Sequence, residues 1–143
     1  MLLPQLSVFV ENKTGVLNGV INILANNSIN IRGLSLAETK DFGILRLILD
    51  KPYKALELLK KNNYTTILNE VIAVEVKDEP GGLAKVLNIL AEKGINVEYM
   101  YGFLEKNKDN AIIVLRIDDI ERAIDILIEN NVTLVKRDDL ELI

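Results

Sequence analysis

Gly15-Val16-Leu17-Asn18-Gly19-Val20-Ile21-Asn22-Ile23-Leu24-Ala25 returns 66 residues later as Gly81-Gly82-Leu83-Ala84-Lys85-Val86-Leu87-Asn88-Ile89-Leu90-Ala91. Leu17, Val20, Asn22, Ile23, Leu24 and Ala25 recur unchanged. Downstream, Ile29-Asn30-Ile31 falls on Ile95-Asn96-Val97. Further on the offset becomes 68, and Ile44 to Asp50 falls on Ile112 to Asp118. Ala55, Leu59, Asn62, Asn63 and Thr65 then meet Ala123, Leu127, Asn130, Asn131 and Thr133. The shift of two lies in a turn region, Lys40-Asp41 against Lys106 to Asp109, where insertions are tolerated. A repeat over nearly the whole chain marks a duplicated module, with boundaries expected at 1–69 and 70–143.

Working outward from the first copy, Leu6 to Val10 is a short β-rich run. Val16, Leu17, Val20, Ile21 and Leu24 follow helical spacing from Gly15 to Asn26. Asn27-Ser28 ends that helix, as Gly94 does in the second copy. Ile29 to Glu38 reads as a strand with Ile29, Ile31, Leu34 and Leu36 facing inward. Asp41-Phe42-Gly43 turns into Ile44 to Leu49, apolar enough for a central strand. Pro52 suits a helix start, and Ala55, Leu56, Leu58 and Leu59 make that helix's inner face. Thr65 to Leu68 is the last strand and leads through a short linker into Val71 to Val76. The order is βαββαβ twice. Right-handed crossovers then give an α+β, ferredoxin-like tandem: antiparallel sheets in the order 4-1-3-2 with helices on one face. The other sheet face is left for a partner or the second repeat to cover.

At 143 residues, the chain is two modules of about 70 residues, each marginal alone. The 17 basic and 21 acidic residues give a net charge of −4. The basic pairs Lys60-Lys61 and Lys136-Arg137 do not cluster enough to neutralise phosphates, so no nucleic-acid partner is expected. Cysteine and histidine are both absent. That removes disulfides, thiolate chemistry and the commonest general base and metal ligand. No run reaches the ~18 apolar residues of a membrane span, and Met1-Leu2-Leu3-Pro4-Gln5 lacks the basic start of a signal peptide. A cytoplasmic protein without cofactor or bound metal is expected.

Val74-Glu75-Val76-Lys77-Asp78-Glu79-Pro80-Gly81-Gly82-Leu83 resembles the first strand, loop and helix start of ACT domains. Ala91-Glu92-Lys93-Gly94-Ile95-Asn96-Val97 resembles their helix end and second strand. The first repeat keeps the pattern as Val10-Glu11-Asn12-Lys13-Thr14-Gly15-Val16-Leu17 and Asn27-Ser28-Ile29-Asn30-Ile31. It departs at Thr14, where the family has Pro, and at Ser28, where it has Gly. Thr14 is a good N-cap residue, so the fold is not threatened. The resemblance covers the whole chain and implies a tandem pair of ACT domains that binds an amino acid.

The helix-start loops are where the chemistry gathers. The first N–H groups of a helix lack intrahelical partners, and the helix dipole adds positive potential, which suits a carboxylate. Gly15 permits close approach. Asn12 and Asn30 offer amide oxygens to an ammonium. In the family, asparagines at these two positions contact the ligand, and the resemblance carries that role to Asn12, Asn30, Asp78 and Asn96. The expected binding set is Asn12, Gly15, Val16, Leu17, Asn30 and Ile31, with Asp78, Gly81, Gly82, Leu83, Asn96 and Val97. The plainer alternative has Asn12 and Asp78 capping helices, and Asn30 and Asn96 holding turns. Family assemblies also imply crossed sites, pairing the loop of one module with the second strand of a neighbour. Ser35, Asp41 and Phe42 are read as pocket wall or surface turn. Arg46 and Arg116 are expected to pair with Glu38 or another carboxylate, and Tyr99 and Tyr101 to share one face of a strand.

No catalytic residue emerges. Ser7, Ser28 and Ser35 have no base beside them. Asp118-Asp119 reads as a helix start and Asp138-Asp139 as a solvated tail. An acylphosphatase-like enzyme needs an arginine in the loop before the first helix, which neither Glu11 to Gly15 nor Lys77 to Gly81 supplies. The expected function is small-molecule, amino-acid sensing by a homodimer, with a partner enzyme. The alternative is a structural interaction subunit without ligand.

Overall fold

The computed structural model describes residues 1–104 and 109–142. Lys106 to Lys108, part of the turn given the two-residue shift, lie outside the described residues. The chain forms two compact units, Pro4–Asn69 and Glu70–Ile143 with Met1–Leu3.

The first unit contains β1 (Leu3–Glu11), α1 (Val16–Asn26), β2 (Ile31–Glu38), β3 (Phe42–Leu49), α2 (Pro52–Lys61) and the opening of β4 (Thr65–Lys77). Its strands lie in the order β2-β3-β1, antiparallel throughout, with residues 65–69 of β4 beyond β1. The Ser7 hydroxyl donates to Asn69 Oδ1 at 3.0 Å. Leu6, Val8 and Val10 alternate onto the helix side of β1 and meet Val20 and Leu24 of α1 and Ala55 and Leu59 of α2. Burying each leucine stabilises the unit by about 1.5–3 kcal/mol.

The second unit repeats this with the rest of β4, α3 (Gly82–Glu92), β5 (Val97–Leu104), β6 (Asn110–Ile117) and α4 (Ile120–Glu129). The strand order is β5-β6-β4. In place of a fourth strand stands an isolated antiparallel bridge, Val74 to Leu134: the Glu75 N–H donates to the Thr133 carbonyl at 2.9 Å and the Val135 N–H to Ala73 at 2.8 Å. Val86, Leu90, Ala123 and Leu127 cover Ile72, Val74 and Leu115. The fold is α+β, two ferredoxin-like βαββαβ modules in tandem.

The helix ends show why some residues recur. The side chains of Asn62 and Asn130 donate to the carbonyls of Leu58 and Ile126 at 2.7 and 2.8 Å. The following Asn63 and Asn131 take left-handed backbone, at φ 66° and 58°. Ser28 and Gly94 do the same after α1 and α3, at φ 56° and 70°.

Several expectations need correction. The last strand of one repeat and the first of the next are a single strand, β4, because nothing between Leu68 and Val71 breaks the extended backbone. Leu34 and Leu36 share the helix-side register of Leu47 and Leu45 yet are 55% and 49% exposed. They sit on β2, the edge strand of the unit, beyond the reach of the helices. Thr14 is not a cap: α1 starts after Gly15, and no side chain caps it. Asp138 and Asp139 belong to a 3-10 helix, Arg137–Leu142, where Asp139 Oδ2 accepts the Lys136 N–H at 3.2 Å.

Candidate functional site: the helix-start loops

The two loops have different sequences and one backbone. In the first, the Asn12 N–H donates to Asp41 at 2.9 Å, Lys13 to Glu11 at 2.9 Å and Val16 to Lys13 at 3.3 Å. In the second, Asp78 donates to Asp109 at 3.0 Å, Glu79 to Lys77 at 2.9 Å and Gly82 to Glu79 at 3.1 Å. The turn closes through left-handed backbone at Gly15 (φ 88°) and Gly81 (φ 90°), which only glycine adopts without strain. At Gly82 a Cβ would run into the Lys77 carbonyl, so α3 starts hard against the end of β4. Neither α1 nor α3 has a side-chain cap or an acidic residue in its first turn. The amides of Leu17, Asn18, Leu83 and Ala84 therefore lack intrahelical acceptors.

Capping is thus not the role of Asn12 or Asp78. The Asn12 Nδ2 reaches the carbonyls of Lys40 and Thr39 at 3.4 and 3.5 Å, both long contacts. Beside it, Lys13 Nζ lies 2.8 Å from Glu11 Oε2. That hydrogen bond, and then the charge behind it, holds the Glu11 carboxyl below its ordinary range and Lys13 above its own.

A cleft of about 360 Å³ opens on this loop, lined by Asn12, Gly15 and Leu17 with Leu36, Glu38 and Gly43. Gly43 keeps it open, since a Cβ there would press on Leu36 at 3.2 Å. The remaining residues of the expected set lie elsewhere. Val16 lines a second cleft with Phe9, Phe42 and Tyr64. Gly81 and Gly82 line a third with Lys85 and Thr133. Leu83 is half-buried. Ile31 and Val97 pack against the cores of their own repeats.

Asn30 and Asn96 are not brought to these loops within their repeats. The Asn30 N–H donates to Asp50 Oδ1 at 2.9 Å, and the Asp50 N–H returns to the Asn30 carbonyl at 3.1 Å. Asn96 and Asp118 repeat the exchange at 3.3 and 3.4 Å. Asn12 is held by Asp41 before β3, and Asn30 by Asp50 after it. An eight-residue strand separates them, roughly 26 Å at about 3.3 Å per residue. The turn-holding reading of Asn30 and Asn96 is therefore correct for their backbones, while their side chains are exposed.

Sequence reasoning missed Asp50 and Asp118, although they align in the repeat. It also missed Leu36 and Glu38 as cleft wall, because Leu36 was read as facing inward and Glu38 as a partner for Arg46. Arg116 has its carboxylate: Nε lies 3.6 Å from Glu98, and NH1 donates to the Glu70 carbonyl at 2.7 Å. Arg46 stands in register with Ser7 and Ser35, whereas Glu38 faces Gly43. Tyr99 and Tyr101 do share a face, opposite Arg116 and Val114. Among the described residues no group of three or more carboxylates is placed to hold a metal ion, and no helix is long and apolar enough to cross a membrane.

Comparison with known proteins bears on the whole chain. A family model described as an ACT domain pair matches residues 1–143. The crystal structure of a protein from Bacteroides thetaiotaomicron is similar at 41% identity and a TM-score of 0.92, covering 98% of this chain and 96% of that one. The regulatory subunit of aspartate kinase from Thermus thermophilus, in a ligand-free form, is similar in fold at 16% identity and TM-score 0.64, covering 88% and 91%. That from Thermus flavus gives 17% and 0.63, covering 88% and 90%. No curated protein sequence matches.

Proposed function

The chain belongs to the family of ACT domain pairs, and on that premise we propose that it is a regulatory protein whose helix-start loops bind a free amino acid. The observation that carries this reading is the pair of uncapped helix starts on one shared backbone, the first opening onto a cleft with Asn12 and Glu38. The free amides of the first turn suit a carboxylate. Asn12 Oδ1 and the Glu38 carboxylate suit an ammonium about one amino-acid backbone away. Leu17 and Leu36 suit an apolar side chain. The family and the fold-level likeness to two aspartate kinase regulatory subunits support a regulatory role passed to a partner enzyme rather than catalysis in this chain.

The working unit in this reading is at least a homodimer. Its support is the β2 edge, where Leu34 and Leu36 stand exposed on a strand with unpaired backbone groups. It is also the separation of Asn12 from Asn30, which a neighbouring module would bridge if Asn30 or Asn96 is to touch the ligand.

A thermal-shift panel of the proteinogenic amino acids tests the reading. One of them should stabilise the protein by about 2.7 kcal/mol at a hundred times its Kd. Its amidated form should do markedly less. Equal stabilisation by the amide would refute the helix-start role, and no response to any amino acid would favour a purely structural subunit.

A further inference from the structure

The chain has three phenylalanines, four tyrosines and no tryptophan. Phe9, Phe42 and Tyr64 line a single cleft of about 460 Å³, together with Glu11 and Thr65. The strand register explains how the first two rings meet. Phe9 stands opposite Ile44, and Glu11 opposite Phe42. Phe9, Glu11 and Phe42 therefore leave the sheet on the same side. Phe9 and Phe42 are diagonal neighbours there, within reach for aromatic side chains. Both rings are open to solvent, at 39% and 59% exposure. Tyr64 enters from the residue before β4, with its hydroxyl over Gly19 of α1. Val10 and Val16, which pack on the helix side, also line the cleft, so it crosses the end of the strands. Glu11 is the one charged residue of the lining. The second repeat has none of this. At the aligned positions Phe9 becomes Glu75, Phe42 becomes Asn110 and Tyr64 becomes Val132, while Glu11 becomes Lys77. Each ring is lost and the carboxylate is replaced by an ammonium, so the feature belongs to one repeat and not to the shared backbone.

We propose that this aromatic cleft of the first repeat is a binding site for a small, free organic cation of the quaternary or methylated ammonium class. The face of an aromatic ring attracts a cation that lies within about 6 Å of its centre. Phe9 and Phe42 supply two rings, Tyr64 a third, and Glu11 the formal counter-charge. A methylated ammonium is weakly hydrated and covered with methyl groups, so apolar walls replace its water at little cost. A primary ammonium carries three N–H donors and loses water that three rings and one carboxylate do not replace. An anion finds no cationic group in the lining. Glu11 stays ionised, since the Lys13 contact holds its carboxyl below the ordinary range. That contact uses Oε2 and joins two exposed side chains, so it competes only weakly for the carboxylate. Asn12, Gly15 and Leu17 line the other cleft and not this one. The assignment therefore stands whatever the helix-start loop binds.

The test is NMR on the full chain, titrated with choline, with ethanolamine and with the uncharged analogue of choline in which carbon replaces nitrogen. Choline should give saturable shifts at the amides of Phe9, Phe42 and Thr65. Its N-methyl protons should move upfield, because they lie over ring faces. It should bind several-fold more tightly than either of the other two. Equal affinity for the uncharged analogue would overturn the cation, and equal affinity for ethanolamine would overturn the methylated class. Phe9→Leu and Phe42→Leu keep an exposed apolar surface and remove one ring, so each should weaken choline several-fold. Phe42→Trp should tighten it, since tryptophan offers the strongest face. Unchanged affinity in both leucine variants would overturn the role of the rings. Glu11→Lys copies the second repeat and should abolish saturable binding; its persistence would overturn the role of Glu11. Co-sedimentation with phosphatidylcholine vesicles should fail, and capture by the vesicles would overturn a free ligand in favour of a lipid headgroup.

Discussion

At the start of α1 the chain turns through Asn12-Lys13-Thr14-Gly15, and at the start of α3 through Asp78-Glu79-Pro80-Gly81. Three of the four residues differ, including a reversal of charge, yet each backbone hydrogen bond of one turn has its counterpart in the other. Glycine at the left-handed position and the end of the preceding strand determine this backbone, so the other side chains are released to vary. The same separation holds at the asparagines after α2 and α4, where backbone need preserves the residue type. Behind the turns nothing of the kind constrains the walls, and Gly19, Tyr64 and Val16 have become Lys85, Val132 and Gly82.

If the repeats are equivalent in packing as well as in backbone, their cores should respond alike. Leu24 and Leu90 occupy matching helix positions at 0% and 1% exposure. Leu24→Ala and Leu90→Ala should each cost about 2–5 kcal/mol in urea unfolding. A cost below that bracket in one repeat only would break the equivalence, and would mark that repeat as the more loosely packed.

The turns come next in size. Gly15→Ala and Gly81→Ala should each lose roughly 1–2 kcal/mol, the expense of left-handed backbone for a residue with a Cβ. Gly82→Ala should lose about 1–3 kcal/mol from crowding against the Lys77 carbonyl, although its counterpart in the first repeat is already Val16. Unfolding curves decide it: a neutral Gly82→Ala would mean that the second turn relaxes freely toward the first.

These comparisons show what was legible in the sequence. Periodicity and the repeat gave the element order, because the helical spacing of Val20 and Leu24 and the left-handed glycines are local requirements. The edge position of β2 followed from the expected order 4-1-3-2, but its consequence did not, since Leu34 and Leu36 have the composition of core residues and yet stand exposed there. The continuity of β4 was hidden for a related reason: the sequence suggests strand on both sides of Asn69 but carries no mark of whether the backbone bends there. For the site, the loop residues could be named, but not their distance from Asn30 and Asn96. That distance depends on which strand end each residue occupies, a property of topology rather than of the motif.

A smaller difference lies at the second helix of each repeat. Asp119 caps α4, its side chain accepting the Arg122 N–H at 3.4 Å, while Lys51 stands at the same place before α2 without a side-chain cap. Asp119→Ala should cost about 0.5–2 kcal/mol. Lys51→Ala gives up an exposed hydrogen bond to the Ser28 carbonyl and should stay within about 0.5 kcal/mol. Equal thermal shifts for the two variants would show that the long Asp119 contact does not act as a cap.

The reversed charges of the turns give the smallest effect. Glu11 and Lys13 pair at 2.8 Å, whereas Lys77 and Glu79, in the opposite order, form no ion pair. The hydrogen bond to Lys13, with its charge second, lowers the Glu11 pKa, and the same contact raises that of Lys13. A lowered carboxylate contributes stability above its unfolded pKa and loses it as the pH falls through the folded value. A raised ammonium contributes below its unfolded pKa and loses it as the pH rises through the folded one. The pair therefore acts across the whole range between the two, and both groups are fully exposed, so water and salt screen it. Carboxyl NMR should find the Glu11 midpoint moved upward by Lys13→Ala and by molar salt. The double reversal Glu11→Lys with Lys13→Glu, which imports the order of the second repeat, should leave the melting temperature unchanged at neutral pH. A measurable loss would mean that the ion pair, and not Gly15 alone, holds the first turn in shape.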